Sequence, residues 1–176
     1  ASCDSHVDLP TVQGDADATR IRHLPPFLQA VGEGVGAVMV GHLVVPHVDP
    51  GRPATLSVPL VTGILRGEMG FDGVVITDDL EMGAITRRWG MGEAAVLAVE
   101  AGCDAILVCA DRERQEDAVQ TLVREASQSE AFAHLVAGST ARLERLARTL
   151  RRVPDALDAD AIRSSRHLSL ARSVAG

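Results

Sequence analysis

Two short segments of the chain concentrate the residue types that do nucleophile and proton chemistry. Thr77-Asp78-Asp79-Leu80-Glu81-Met82 follows directly on the apolar run Gly73-Val74-Val75-Ile76. In parallel α/β folds, polar residues at the carboxyl ends of strands are the ones that meet ligands. If the run is extended, Val74, Ile76 and Asp78 share one side, which brings the Asp78 carboxylate to the mouth of the fold. The same spacing supports another reading, because Asp78 with Glu81 three residues on has the form of a capping box that opens a helix. The second segment is Asp4-Ser5-His6, whose i, i+2 spacing puts Asp4 and His6 on one side of an extended loop. A carboxylate beside an imidazole selects its tautomer, and an imidazole so held takes up and releases a proton near neutrality, as a general acid and base must. The plain alternative is a surface histidine in a turn. No serine–base arrangement is legible, so a Ser-His-Asp hydrolase is only a weak rival.

Other candidate chemistry is thinner. His6, His23, His42, His47, His134 and His167 are scattered, with no H-E-x-x-H among them. His42, His47 and Asp49 form a loose group after the first apolar run, slight ground for a metal, and neither a metal nor a cofactor is expected. Gly32-Glu33-Gly34-Val35-Gly36 has the composition of a phosphate-cradling loop. Such glycines must follow a strand and open a helix, whereas these precede a strand, so they read as turn glycines. Cys3, Cys103 and Cys109 cannot all pair, and none forms C-x-x-C. They read as reduced, mostly buried thiols, with a lean toward a reducing compartment.

Three continuous apolar runs are expected to be the strands that position these residues: Val35 to Val40, Gly73 to Thr77, and Asp104 to Cys109. Unbroken β-branched runs suit parallel strands covered on both faces. Amphipathic segments lie between them. Ser57 is a candidate N-cap for a helix with Leu60, Val61, Ile64 and Leu65 inward, ending at Gly70. Met91 to Ala101 reads as a second helix with Val96 and Leu97 inward, and Asp111 to Ala126 as a third with Ala118, Val119, Leu122 and Val123 on one side. Ser129 to Arg152 reads as one or two helices, with Arg142, Arg145, Arg148, Arg151 and Arg152 on a solvated face. The order strand–helix–strand–helix–strand–helix specifies an α/β fold with a parallel sheet, compatible with a (β/α)8 barrel or a doubly wound sheet.

Composition excludes several classes. The chain has 176 residues, 46% of them hydrophobic and 23% charged, so it reads as globular and soluble. A net charge of −7 gives no basic face for nucleic acid, and no apolar stretch reaches the roughly 18–20 residues of a membrane helix. The 17 basic residues are all Arg, and Lys, Asn and Tyr are missing, a pattern that points to GC-rich coding. Aromatics make up only 2%, so stacking platforms for bases or sugars are scarce.

In chain order the motifs resemble those of bacterial glycoside hydrolase family 3 β-N-acetylglucosaminidases. Asp4-Ser5-His6-Val7-Asp8-Leu9-Pro10 is similar to the family's D-S-H-x-D-L-P loop, Leu24-Pro25-Pro26-Phe27 to its L-P-P-F, and Gly36-Ala37-Val38-Met39-Val40-Gly41-His42 to its G-A-V-M-x-x-H strand. Pro53-Ala54-Thr55-Leu56-Ser57, Leu65 through Val75, and Thr77 through Met82 follow collinearly. The resemblance implies a TIM-type barrel that cleaves terminal β-linked N-acetylglucosamine with retention, its partner a small saccharide. It implies that Asp78 is the nucleophile, that His6 on a mobile loop is the acid/base, and that Asp4 is its dyad partner. His42, at the end of its strand, becomes a substrate-binding candidate. The alternatives are a β-glucosidase or phosphorylase of the same family, or a non-catalytic barrel fragment used for binding.

The family's K-H-F-P-G-x-G stretch, which precedes the D-S-H loop, is absent, and the chain opens on Ala1. Residues 1–152 are therefore expected to be the C-terminal part of the barrel, about strands six to eight with their helices. Residues 153–176, with His167-Leu168-Ser169-Leu170-Ala171-Arg172, resemble the junction toward a second domain. A part-barrel leaves unpaired strand edges, through which self-association is expected.

Overall fold

The three apolar runs become the three strands of one parallel sheet. The computed structural model describes residues 3–14 and 22–149, with positions 164, 165, 168, 169, 172 and 173. In chain order the elements are α1 (Pro25–Gly32), β1 (Ala37–Val40), β2 (Val44–Val45), β3 (Asp49–Pro53), α2 (Pro59–Glu68), β4 (Val74–Asp79), α3 (Gly83–Thr86), α4 (Met91–Ala101), β5 (Ala105–Leu107), α5 (Arg112–Gln128) and α6 (Glu130–Thr149). The sheet order is β1-β4-β5, so β4 is central. The β1–β4 ladder runs from Ala37↔Val74 to Val40↔Thr77 and stops there. Val74, Val75 and Thr77 are buried on both sides, which is why this strand reads as a continuous apolar run. Residues 150–163, 166, 167, 170, 171 and 174–176, among them Arg151 and Arg152 of the expected helix and most of the expected junction, lie outside the described residues.

The helices pack by small residues. The buried face of α4 consists of Met91, Gly92, Ala94, Ala95, Ala98, Val99 and Ala101, whereas Val96 and Leu97, expected inward, are only partly buried. Alanines let the helix axis approach its neighbours closely, and α4 packs on both α2 and α5. Gly102 ends α4 at φ +112°, a conformation open to glycine at little cost, and a Cβ there would come within 2.7 Å of Thr62 Oγ1. The helix expected after Ser57 forms, but with wide π-type turns: Met69 N–H bonds Ile64 O, five residues back. Between β1 and α2 lies an antiparallel β2–β3 hairpin that the sequence reading did not anticipate.

Two expectations for the later helices need correction. Val119 and Val123 of α5 are 59% and 64% exposed, because among the described residues the sheet ends at β5 and nothing packs over them. They border an open groove of about 420 Å³ with Ile106, Val108 and Leu143. The arginine row of α6 is also not simply solvated. Arg142 pairs with the buried Asp104 carboxylate at 2.9 Å, while Arg145 reaches the carbonyl and the carboxylate of Asp72.

Asp104 is the polar hub behind the sheet. Its Oδ2 accepts from Arg66 Nη2 at 2.7 Å and from Val75 N–H at 2.8 Å, and its Oδ1 accepts from Arg142 Nε at 2.9 Å. One carboxylate thus joins the entry of β5 to β4, α2 and α6. Such a charge survives burial only because every lone pair is occupied, and removing a partner from such a site costs about 3–5 kcal/mol. Cys103, beside it, is buried, and burial pushes its thiol up to about 12. Cys3 and Cys109 are exposed, contrary to the expectation of mostly buried thiols.

Candidate active site

β4 delivers two adjacent carboxylates, Asp78 and Asp79, to the carboxyl end of the sheet. Asp78 is half-buried, and its Oδ1 accepts the Asp79 N–H at 2.9 Å. Asp79 Oδ1 accepts the Glu81 N–H at 3.0 Å and Asp79 O the Met82 N–H at 3.1 Å, a turn that ends the strand and feeds α3. The capping-box alternative is not what forms: the N-cap of α3 is Met82, with no side-chain cap. Glu81 instead turns its carboxylate, 10% exposed, to the N–H groups of Ala110 and Asp111. It thereby ties the loop after β4 to the loop after β5.

The Asp4–His6 segment forms a tight turn. The N–H groups of Val7 and Asp8 both donate to Asp4 O at 3.0 Å. Asp4 Oδ1 accepts from the His6 N–H at 3.0 Å and lies 2.9 Å from His6 Nδ1. An ionised carboxylate only accepts, so Nδ1 carries the proton and Nε2 is the nitrogen left to exchange one. The His6 backbone N–H first, and its ring second, hold the Asp4 carboxyl below the usual carboxylate range, so it stays ionised at neutral pH. Both side chains are open to solvent, 76% for His6 and 67% for Asp4.

The loop carrying this pair is seated on α3, directly after the strand that carries Asp78. Ala84 N–H donates to Ser5 O at 3.1 Å and Gly83 N–H to His6 O at 3.2 Å. A Cβ on Gly83 would sit 2.6 Å from Val7 O and 2.7 Å from His6 O, so only glycine admits the loop at this depth. Arg88, just past α3, donates to Asp8 Oδ1 at 2.7 Å, and Pro10 O accepts the Val44 N–H at 2.8 Å. The Asp4–His6 loop is thus fixed to α3, the helix that follows the end of the Asp78 strand.

His42 sits differently from its expected place. It is 2% exposed, so its ring does not line an open surface. Nε2 lies 2.9 Å from Asp79 O and Nδ1 lies 2.8 Å from Thr55 Oγ1. Burial lowers the ring's pKa, against the opposing pull of the Asp79 carbonyl bond and the Asp78 and Asp79 charges. A carbonyl cannot donate, so the neutral ring carries its proton on Nε2 and Nδ1 accepts from Thr55. Cys109, at the end of β5, faces the same carboxylates: desolvation first, then Asp79, Glu81 and Asp78, push its thiol up, so it stays protonated.

Among the described residues no group of His, Cys, Asp and Glu is placed to hold a metal ion, and no helix is long and apolar enough to cross a membrane. Asp49, considered with His42 and His47, bonds Ser57 Oγ at 2.7 Å instead. Gly83, Arg88, Thr55 and the bridging role of Glu81 escaped the sequence reading. The nearest signal was the opposite charge of Asp8 and Arg88, eighty residues apart.

Comparison with known proteins gives the family. The family model of the glycosyl hydrolase family 3 N terminal domain matches residues 1–146, and the chain belongs to that family. A Beta-hexosaminidase of Idiomarina loihiensis is 38% identical over 109 residues, covering 62% of this chain and 32% of its own length. One from Xylella fastidiosa (strain M23) is 36% identical over 133 residues, covering 76% of this chain and 39% of its own. The chain therefore spans about a third of the length of the curated relatives it matches. Among solved structures, a glycoside hydrolase family 3 beta-N-acetylglucosaminidase from Paenibacillus sp. str. FPU-7 superposes with a TM-score of 0.82 at 38% identity, covering 98% of this chain and 34% of that one.

Proposed function

We propose that this chain carries the nucleophile and the acid/base of a retaining exo-β-N-acetylglucosaminidase, acting on terminal β-linked N-acetylglucosamine of cell-wall or chitin-derived saccharides. The observation that carries the reading is the Asp4–His6 contact at 2.9 Å, on a loop seated against the helix that follows the Asp78 strand. The names of the relatives support the substrate class.

In the first step the Asp78 carboxylate attacks the anomeric carbon. Doubly protonated His6 gives its Nε2 proton to the departing glycosidic oxygen, and Asp4 keeps hold of Nδ1–H. The sugar is then an ester of Asp78 and the ring is neutral, with a lone pair on Nε2. In the second step that lone pair takes a proton from water as the water oxygen attacks the same carbon, and Asp78 leaves as a carboxylate. A His–Asp pair here does what the second carboxylate does in most retaining glycosidases.

Residues 1–152 belong, on this reading, to the C-terminal part of a TIM-type barrel, about strands six to eight, and residues 153–176 lead toward a further domain. The outer edges of β1 and β5 support it, since each ends the sheet beside exposed apolar side chains such as Met39, 55% exposed, and Val123. The same edges are where a second copy would pair if nothing else covered them.

Stereochemistry tests the reading in the intact natural protein. Proton NMR during early turnover of an aryl β-N-acetylglucosaminide is expected to show the β-anomer of the free sugar first, the α-anomer growing in only by mutarotation. An α-anomer formed first would mean inversion and would remove the covalent ester.

A further inference from the structure

The β1–β4 ladder ends at Val40↔Thr77, so Asp78 and Asp79 extend past the last paired residue of β1. On the other side the β4–β5 register is irregular between Ile76 and Asp79. Asp79 stays paired with Leu107 on the β5 side, but the β1 ladder supports neither Asp78 nor Asp79, and a nucleophile held from one side only would be poorly aimed. His42, two residues beyond β1, supplies the missing attachment, its Nε2 meeting Asp79 O at 2.9 Å. Thr55, fully buried, fixes the other side of the ring at 2.8 Å, and its hydroxyl lies 3.1 Å and 3.2 Å from the carbonyls of Gly41 and Val40. Its single proton serves the Nδ1 lone pair, the shortest of these contacts. The side chain of one histidine therefore joins the end of β1, the turn at Ala54–Leu56 and the end of β4.

We propose that His42 is a positioning residue: its buried Nε2–H, oriented by Thr55, holds the Asp79 carbonyl and so fixes the Asp79 backbone, whose N–H bonds Asp78 Oδ1 at 2.9 Å and thereby sets the direction of the Asp78 carboxylate. This rests on Asp78 being the nucleophile. It also separates His42 from substrate, because a ring that is 2% exposed with both nitrogens engaged has nothing to offer a sugar.

The test compares two amides of different reach in the intact natural protein. The amide nitrogen of glutamine extends to the place of ring Nε2, while that of asparagine extends only to the place of Nδ1. His42→Asn is expected to lower kcat on an aryl β-N-acetylglucosaminide by roughly 10–100-fold, the cost of a misaimed reacting group, with little change in KM. His42→Gln restores the donor and is expected to return kcat to within about fivefold of wild type. Equal loss of kcat in the two variants would reduce His42 to a packing residue, and a rise in KM at unchanged kcat would make it a substrate contact. Either result overturns the proposal.

A second measurement does not depend on activity or on the variants folding. Long-range proton–nitrogen NMR of the wild-type protein is expected to show His42 as the neutral Nε2–H tautomer with a slowly exchanging ring proton. An Nδ1–H tautomer contradicts the bond to Asp79, and a charged ring contradicts the orientation by a Thr55 hydroxyl that donates to Nδ1; either overturns the proposal. A wild-type protein that shows this tautomer but cleaves no glycoside would overturn the assignment of Asp78 and leave the bond to Asp79 intact.

Discussion

Asp78→Asn is expected to lower kcat/KM on an aryl β-N-acetylglucosaminide by on the order of 10⁴-fold or more, the scale seen when a covalent nucleophile is removed. The amide keeps the shape of the carboxyl group, and its oxygen still accepts the Asp79 N–H that Asp78 Oδ1 accepts at 2.9 Å. The turn into α3 is therefore retained, and the melting temperature should change little. What is lost is the negative charge that bonds to the anomeric carbon, with no other group on β4 placed to replace it. Asp79 falls on the opposite side of the strand from Asp78, where its Oδ1 accepts the Glu81 N–H at 3.0 Å. Steady-state kinetics beside a circular-dichroism melt checks this. A stable variant retaining more than a hundredth of the wild-type rate would remove Asp78 from the nucleophile role.

The second large effect depends on the leaving group. His6→Ala is expected to reduce kcat/KM by about 10²–10⁴-fold on disaccharides and alkyl glycosides, whose departing oxygen needs a proton. For a dinitrophenyl glycoside, whose leaving group departs as an anion, the loss should be under about tenfold. With that substrate the slow step becomes hydrolysis of the ester, because the base has gone too, and a burst of phenolate equal to the enzyme concentration should precede the steady state. The structure supports a role confined to proton transfer: His6 is 76% exposed and packs against nothing that its loss would collapse. The loop remains held through Asp8 to Arg88 and by the backbone bonds to α3. Equal loss on both substrate types would exclude His6 as the acid.

Much of this arrangement is legible in the sequence because it depends on local spacing. The three strands announce themselves as apolar runs, since a parallel strand is covered on both faces. Asp78 falls at a strand end as expected, and Asp4 and His6 meet as their i, i+2 spacing suggested, although in a tight turn rather than the expected extended loop. The features that were not legible depend on partners distant in the chain. Asp104 read as the start of a strand, and its role as a hub needs Arg66 and Arg142, each 38 residues away. Glu81 had the spacing of a helix cap, but its acceptors were taken by Ala110 and Asp111, because the loop after β5 offers two N–H groups nearby. His42 was correctly placed at the end of its strand, yet its burial is set by Thr55 and Asp79, 13 and 37 residues on. Val119 and Val123 have the pattern of a buried face, which periodicity detects, but periodicity does not report that the sheet stops at β5.

The central claim is that Asp78 forms a bond to the sugar while His6 manages the proton, and trapping the ester tests it most directly. The intact protein is treated with a fluorinated 2-acetamido-2-deoxyglycosyl inactivator, digested, and sequenced by mass spectrometry. A single 2-acetamido-2-deoxyglycosyl adduct on Asp78 is the predicted result. A label on Asp79, on Glu81 or on any other residue, or inactivation without a covalent adduct, would contradict it.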